Sequence, residues 1–155
     1  MEKVYIVAAQ RTPIGKFGGA LSSKSAIDLG ATVIKDAVHK ASISAKQVDQ
    51  VLMGNVLQAG AGQNPARQAA IAAGLDQATP AITINDVCGS GLSSIILGVS
   101  LIQSEQAQVI VAGGMESMSR APYVLLNARH GYKFGNGELV DTMQNDALQD
   151  AWGGY

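Results

Sequence analysis

The sequence predicts an α/β domain built around a parallel sheet, and two observations carry this prediction. Short apolar runs rich in β-branched residues alternate with longer segments whose apolar residues recur at helical spacing, which is typical of parallel βαβ units. Glycine makes up 18 of the 155 residues without periodicity, which indicates many tight turns and close backbone approaches. A chain of this length suits one domain with a buried core.

Four short apolar runs are predicted to be strands. They cover residues 4–9, 48–56, 80–87 and 109–112. Pro13 ends the first because proline lacks a backbone N–H and restricts the residue before it. Gly113 and Gly114 close the last.

Three segments with helical spacing are predicted to be helices. They cover residues 26–41, 65–73 and 92–103. Ser25, three residues before Asp28, resembles a capping box at the start of the first. Asn64 followed by Pro65 is typical of a helix start, and Gly74 is typical of a helix end.

The third helix is unusual because its apolar residues cover nearly the whole circumference between residues 92 and 102. A helix that is apolar all round is buried all round. We therefore expect packing partners on two sides, with more protein, in the same chain or a partner, covering the second side. After this helix and its following strand, Asn136-Gly137 predicts a hairpin over residues 132–140, and residues 141–152 are weakly helical.

Composition and charge exclude several classes of protein. A net charge of −1 without charge runs argues against a nucleic-acid partner. The sequence shows neither a signal peptide nor an apolar stretch of about 20 residues, so we expect a soluble cytoplasmic protein without membrane contact. The one cysteine cannot form an intramolecular disulfide and suits a reducing compartment.

Cys88 is the strongest candidate for a reactive group. It lies between an apolar strand and the start of an apolar helix, and glycines follow at 89 and 91. This pattern resembles a nucleophile elbow, in which the start of the helix favours a thiolate and its N–H groups can bind an oxyanion. The alternative is a buried structural thiol, since free cysteine packs like a small hydrophobe.

Other polar and glycine-rich features predict structural roles. The glycine runs at 15–19, 60–62 and 113–114 match neither a P-loop nor a dinucleotide fingerprint, so we interpret them as turns. His39 is expected at a helix end and His130 in a loop, and neither has a second ligand at metal spacing. Arg67 could anchor a carboxylate or a loop, and the loop is favoured. We therefore predict neither a metal nor a resident cofactor.

Five stretches of the sequence, in chain order, resemble the successive motifs of thiolases. They are residues 11–19 (RTPIGKFGG), 54–60 (GNVLQAG), 62–68 (GQNPARQ), 85–91 (NDVCGSG) and 112–119 (AGGMESMS). The resemblance extends over the chain from end to end. It implies a thiolase-like half-fold: a mixed, mostly parallel sheet with helices on both faces, plus the start of a loop domain. Residues 1–118 would form the N-terminal core and residues 119–155 the beginning of the coenzyme A-binding region.

The resemblance also implies a reaction and a role for Cys88. Two acetyl-CoA molecules would be condensed to acetoacetyl-CoA and CoA, or the reverse thiolysis would occur, through an acetyl thioester on Cys88. The Cys88 backbone N–H would be one oxyanion donor. Coenzyme A thioesters are then substrates rather than cofactors, and the full-length enzyme would be a homo-oligomer, a dimer or tetramer.

The chain departs from the family pattern by resembling only its first half. The family's activating histidine, second catalytic cysteine and water-holding asparagine belong to sequence that is absent here, so we expect this chain alone to lack turnover. Two alternatives remain open: a non-catalytic assembly or interaction module, and a related ketoacyl condensing enzyme that uses carrier-protein substrates.

Overall fold

A three-stranded parallel sheet organises the chain, whose computed structural model describes residues 3–153. Its strands are β1 (Gln50–Gly54), β2 (Ala81–Ile84) and β3 (Ile110–Gly114). They lie in the order β2-β1-β3, so the first strand along the chain is the central one. In this register Leu52 pairs with Ile82 on one side and with Ala112 on the other. Three of the four predicted strands are therefore confirmed, each shorter or shifted at its ends.

Helices cover both faces of this sheet, as predicted. On one face α1 (Ala26–Lys40) and α2 (Pro65–Ala72) form the main core with Val51 and Met53. On the other face α3 (Ser90–Gln103) lies against the sheet at Gly98, next to Leu52. Alternate residues of β1 thus point to opposite helical layers, as the two-residue period of a strand requires.

The starts of α1 and α2 follow the predicted local signals. Ser25 and Asp28 form the expected capping box, with the Asp28 N–H donating to Ser25 Oγ at 3.0 Å. The N–H of Arg67 donates to Asn64 Oδ1 at 3.2 Å, and Pro65 is the first residue of α2. The guanidinium of Arg67 donates to the carbonyl oxygens of Gln77 and Thr79, so its role as a loop anchor is confirmed.

Helix α3 packs on the sheet with its small residues and leaves large apolar ones exposed. Ser90, Ser94 and Gly98 are buried, whereas Leu92 is 64% and Ile96 57% exposed. The expectation that this helix is buried all round is therefore wrong for the described residues. Small side chains let the helix approach the sheet closely, and no element between residues 3 and 153 covers the opposite side.

The prediction of a first strand at residues 4–9 is wrong. Residues 4–9 have no strand structure, and Tyr5, Ile6 and Val7 are exposed. A strand is defined by hydrogen bonds to a neighbour, and no described strand pairs with this segment. An apolar, β-branched run indicates a need for burial and pairing, but the run itself does not supply the partner.

The predicted hairpin at residues 132–140 is also wrong. Instead β4 (Tyr123–Val124) pairs antiparallel with β5 (Val140–Asp141), and Asn136-Gly137 lies within the long connection between them. The pairing depends on partners far apart in sequence, which local turn residues cannot indicate. Short 3₁₀ turns occur at Ala45–Gln47 and Met118–Arg120, and a π-helical turn at Gln144–Leu148 takes the place of the weakly predicted final helix. Within residues 3–153 no helix has the length and apolar character needed to cross a membrane.

Candidate functional site

The loops that follow the three parallel strands meet around one pocket. Ligands of parallel α/β sheets bind at this carboxyl edge of the strands. The pocket has a volume of about 400 Å³ and is mainly apolar. Its lining includes Asn55 and Leu57 after β1, Cys88 after β2, Glu116 and Met118 after β3, and Leu148 from the π-helical turn.

Cys88 lies where the sequence places it, in the turn from β2 into α3, and it is exposed. The turn is closed by two backbone hydrogen bonds: Gly89 N–H donates to Asp86 O at 2.9 Å, and Ser90 N–H donates to Val87 O at 3.1 Å. Gly89 is the N-cap residue of α3. The buried structural thiol is therefore excluded, while the acyl-accepting role of Cys88 stays a prediction. Two of the N–H groups expected to face an oxyanion are instead used within the turn.

Glycines beneath the turn let α3 begin close to the sheet. A Cβ atom added at Gly54 would lie 2.7 Å from Ser90 Cβ and 2.8 Å from Gly91 N, closer than real Cβ contacts. One added at Gly114 would lie 3.4 Å from the Cα atom of Gly91. Only glycine fits at position 54, and Gly114 lies in van der Waals contact with Gly91, so the start of α3, and with it Cys88, lies at the edge of the sheet.

Glu116 joins the loops that follow β1 and β3. Its carboxylate accepts from Val56 N at 2.9 Å, from Leu57 N at 3.3 Å and from the side-chain amide of Asn55 at 2.7 Å. Asn55 is 1% exposed, and its amide nitrogen also donates to Met115 O. The pair fixes one wall of the pocket.

Asn55 and Glu116 lie within two of the thiolase-like motifs, but no role was predicted for either side chain. A signal was present, because each follows the apolar run of a parallel strand, and the carboxyl ends of such strands meet at one edge.

The ionisable groups at the pocket are Cys88 and Glu116, and no histidine of residues 3–153 lines it. His39 lies in the last turn of α1, as expected, and His130 lies in the loop between β4 and β5. Asp86, beside the Cys88 turn, accepts a hydrogen bond from Ser93 Oγ at 2.5 Å. Met115 is buried and belongs to the core, and both Met115 and Met118 line the pocket.

This arrangement suits nucleophilic attack on a carbonyl. The sulfur is exposed at the start of a helix, where partial positive charge stabilises developing negative charge. The pocket walls are mostly apolar, which strengthens such electrostatic interactions. Proton abstraction from carbon needs a positioned base, and the described part of the pocket offers only a carboxylate already bound by three N–H donors.

Comparisons with known proteins agree on one family. The profile described as "Thiolase, N-terminal domain" matches residues 4–155. An acetyl-CoA acetyltransferase of Escherichia coli strain K12 is 56% identical over the whole of this chain, which covers 40% of that protein. A probable acetyl-CoA acyltransferase of Staphylococcus aureus strain NCTC 8325 is 47% identical over the whole chain and 39% of its own length.

A solved structure agrees with the sequence comparisons. The crystal structure of a thiolase from Ascaris suum in complex with coenzyme A superposes with a TM-score of 0.92 at 42% identity. The superposition covers 96% of this chain and 38% of the Ascaris chain. The chain thus spans about 40% of the length of the curated relatives it matches.

Proposed function

Because the chain belongs to the thiolase family, through its N-terminal domain, we propose that it supplies the acyl-accepting part of an acetyl-CoA acetyltransferase. The observation that carries this proposal is the exposed Cys88 in the turn into α3, which lines the pocket on the carboxyl edge of the sheet. The names of the Escherichia coli relative and the coenzyme A bound to the Ascaris thiolase support coenzyme A thioesters as substrates.

In the proposed first step the Cys88 thiolate attacks the carbonyl carbon of acetyl-CoA. The carbonyl oxygen becomes an oxyanion, which the Cys88 N–H stabilises. The C–S bond to coenzyme A then breaks, CoA leaves as a thiolate that takes up a proton, and the acetyl group stays on Cys88 as a thioester.

In the second step a second acetyl-CoA, deprotonated at its methyl carbon, attacks this thioester. Acetoacetyl-CoA forms and the Cys88 thiolate is restored; thiolysis is the reverse. Besides Cys88 itself, the described lining of the pocket offers only the carboxylate of Glu116, which already accepts three hydrogen bonds, and general acid–base help is worth about 10²–10⁴-fold in rate. We therefore expect this chain to accept an acetyl group without sustaining turnover.

The domain division and the setting of the protein belong to the same proposal. Residues 1–118 form the core, and residues 119–155 begin the coenzyme A-binding region; β3 ends at Gly114 and the separate β4–β5 pair begins at Tyr123, which supports a boundary between them. The proposal further takes the full-length enzyme to be a cytoplasmic homo-oligomer.

A test incubates the purified chain with acetyl-CoA, or separately with an acetylated acyl carrier protein, and locates modification by peptide mass spectrometry. We expect one acetyl group on the Cys88 peptide from acetyl-CoA, and none in Cys88→Ala. Preferential transfer from the carrier protein would favour the ketoacyl condensing enzyme instead.

The same samples are assayed for acetoacetyl-CoA thiolysis, where we expect no sustained turnover. Near-native turnover would contradict the expectation that the base lies outside this chain. Absence of acetylation from both donors would overturn the proposed function and leave the interaction module.

A further inference from the structure

The residue before Cys88 has a strained backbone. Val87 has a φ of 46°, in the left-handed region. A β-branched side chain at positive φ is a genuine outlier, because its Cβ substituents crowd the backbone. Such a conformation persists only where the surrounding structure holds it, and it is found disproportionately at functional sites.

The side chain of Ser90 holds this conformation. Its hydroxyl donates to Val87 O at 2.5 Å and accepts from Asp86 N–H at 2.9 Å. The backbone N–H of Ser90 donates to the same Val87 oxygen at 3.1 Å. That oxygen belongs to the peptide group joining Val87 to Cys88, so Ser90 fixes the peptide that carries the Cys88 nitrogen.

Ser90 is itself held in place. It is 5% exposed and lies on Gly54, the close approach described above. On the other side of the strained residue, Val87 N–H donates to Asn85 Oδ1 at 3.0 Å. The strained turn is therefore fixed at both ends, by Asn85 before it and by the first residue of α3 after it.

We propose that Ser90 is a positioning residue, which keeps Val87 in the left-handed conformation and thereby presents the Cys88 sulfur at the start of α3. This rests on the proposed function in taking Cys88 as the reacting group. Without the hydroxyl, Val87 relaxes toward negative φ and turns the Cys88 side chain away from the helix axis.

The test measures the second-order rate of Cys88 alkylation by iodoacetamide across neutral pH, with folding monitored by circular dichroism. For Ser90→Ala we expect a fall of about threefold, the size of the interaction of a charge with a helix N-terminus. Ser94→Ala is the matched control: Ser94 is also buried on α3, and its hydroxyl donates to Ser90 O rather than to the turn. We expect no change in its rate.

A second substitution separates positioning from general loss of packing. Glycine adopts positive φ without strain, so Val87→Gly removes the need for the Ser90 hydroxyl. We expect the double variant Val87→Gly/Ser90→Ala to react at the rate of Val87→Gly alone. The proposal would be overturned if Ser90→Ala and Ser94→Ala changed the alkylation rate equally. It would also be overturned if Ser90→Ala slowed alkylation as much in the Val87→Gly background as in the wild type.

Two further outcomes are decisive. If Ser90→Ala does not fold, only the comparison of Val87→Gly with the double variant is used. A folded double variant that is alkylated at the rate of Val87→Gly supports the proposal. A double variant that is alkylated more slowly, or does not fold, overturns it. If the wild-type chain accepts no acetyl group from acetyl-CoA while the alkylation pattern holds, the proposed function fails and the positioning role of Ser90 stands.

Discussion

The exposed thiol of Cys88 depends on residues beside it that have little or no side chain. Gly54 allows the first turn of α3 to touch the end of β1, where an added Cβ atom would meet Ser90 and Gly91. Ser90 fits the same space only because its Cβ atom faces a glycine. The position of Cys88 is therefore fixed by backbone contact, which a single methyl group at Gly54 would disturb.

Gly54→Ala tests this contact. The added Cβ atom would clash with Ser90, so we expect the free energy of unfolding to fall by about 1–3 kcal/mol and alkylation of Cys88 to slow. Gly113→Ala is the matched control on the neighbouring strand, because a Cβ atom there meets only Met53 Sδ at 3.7 Å. Chemical denaturation measures the free energy of unfolding of both variants, and iodoacetamide alkylation measures the reactivity of Cys88 in each. Equal stabilities of the two variants would contradict the close-contact explanation.

At the scale of elements, the start of α1 combines hydrogen bonding with charge. The Asp28 carboxylate accepts from Ser25 N at 2.9 Å and from Ser25 Oγ at 2.8 Å. The hydrogen bond from the Ser25 backbone N–H, and after it the one from the Ser25 hydroxyl, lower the pKa of Asp28 below its ordinary value of 3.8. The pKa of Asp28 is lower in the folded chain than in the unfolded chain. The ionised carboxylate therefore stabilises the fold fully at a pH above 3.8, and this stabilisation is lost as the pH falls through the pKa of the folded state.

The capping box gives a pH-dependent prediction. Ser25→Ala should cost about 1 kcal/mol at neutral pH, as for other N-caps. The stability difference between the wild type and Asp28→Asn should shrink as the pH falls below 3.8. Ser25→Ala should keep most of this pH dependence, since the Ser25 N–H remains. Denaturation curves recorded from neutral to acidic pH measure the free energy of unfolding of each variant. If the wild type and Asp28→Asn lost stability in parallel as the pH fell, Asp28 would not be the stabilising group.

The helix starts, whose signals are local, were predicted correctly, whereas the strand at residues 4–9 and the hairpin at residues 132–140, which each need a particular pairing partner, were not. Ser25 and Asn64 are capping residues next to the helices they begin, so α1 and α2 could be located from sequence. Residues 4–9 have the composition of a strand but no partner in the described chain. The same distinction applies to the site: the Cys88 turn is local, whereas the contacts of Glu116 with Val56 and Leu57 join loops about 60 residues apart.

At the scale of the whole molecule, the outer face of α3 leaves a row of large apolar side chains without cover. Leu92, Ile95, Ile96 and Leu97 are all more than a third exposed and follow one another along the helix. Apolar patches of this kind promote association. The sequence predicted that this face needs cover, and the described chain does not provide it.

We therefore expect the chain to self-associate with increasing concentration, which sedimentation velocity measures. Ile96→Lys should reduce the association because it charges the exposed face of α3. Leu126→Lys is the control, since Leu126 is 72% exposed but lies in the loop after β4. A wild-type chain that stays monomeric at every concentration, or an equal effect of both variants, would contradict this expectation.

The reactivity of Cys88 in the folded chain can be compared with that of the same sulfur in the unfolded chain. Iodoacetamide is added to the protein in buffer and in denaturing urea, and the second-order rate constants of alkylation are measured at neutral pH. If the turn into α3 activates the thiol, the folded chain reacts about threefold faster or more, the effect expected of a helix N-terminus. A folded chain that reacts at the same rate as the unfolded one, or more slowly, would contradict the assignment of Cys88 as an activated nucleophile.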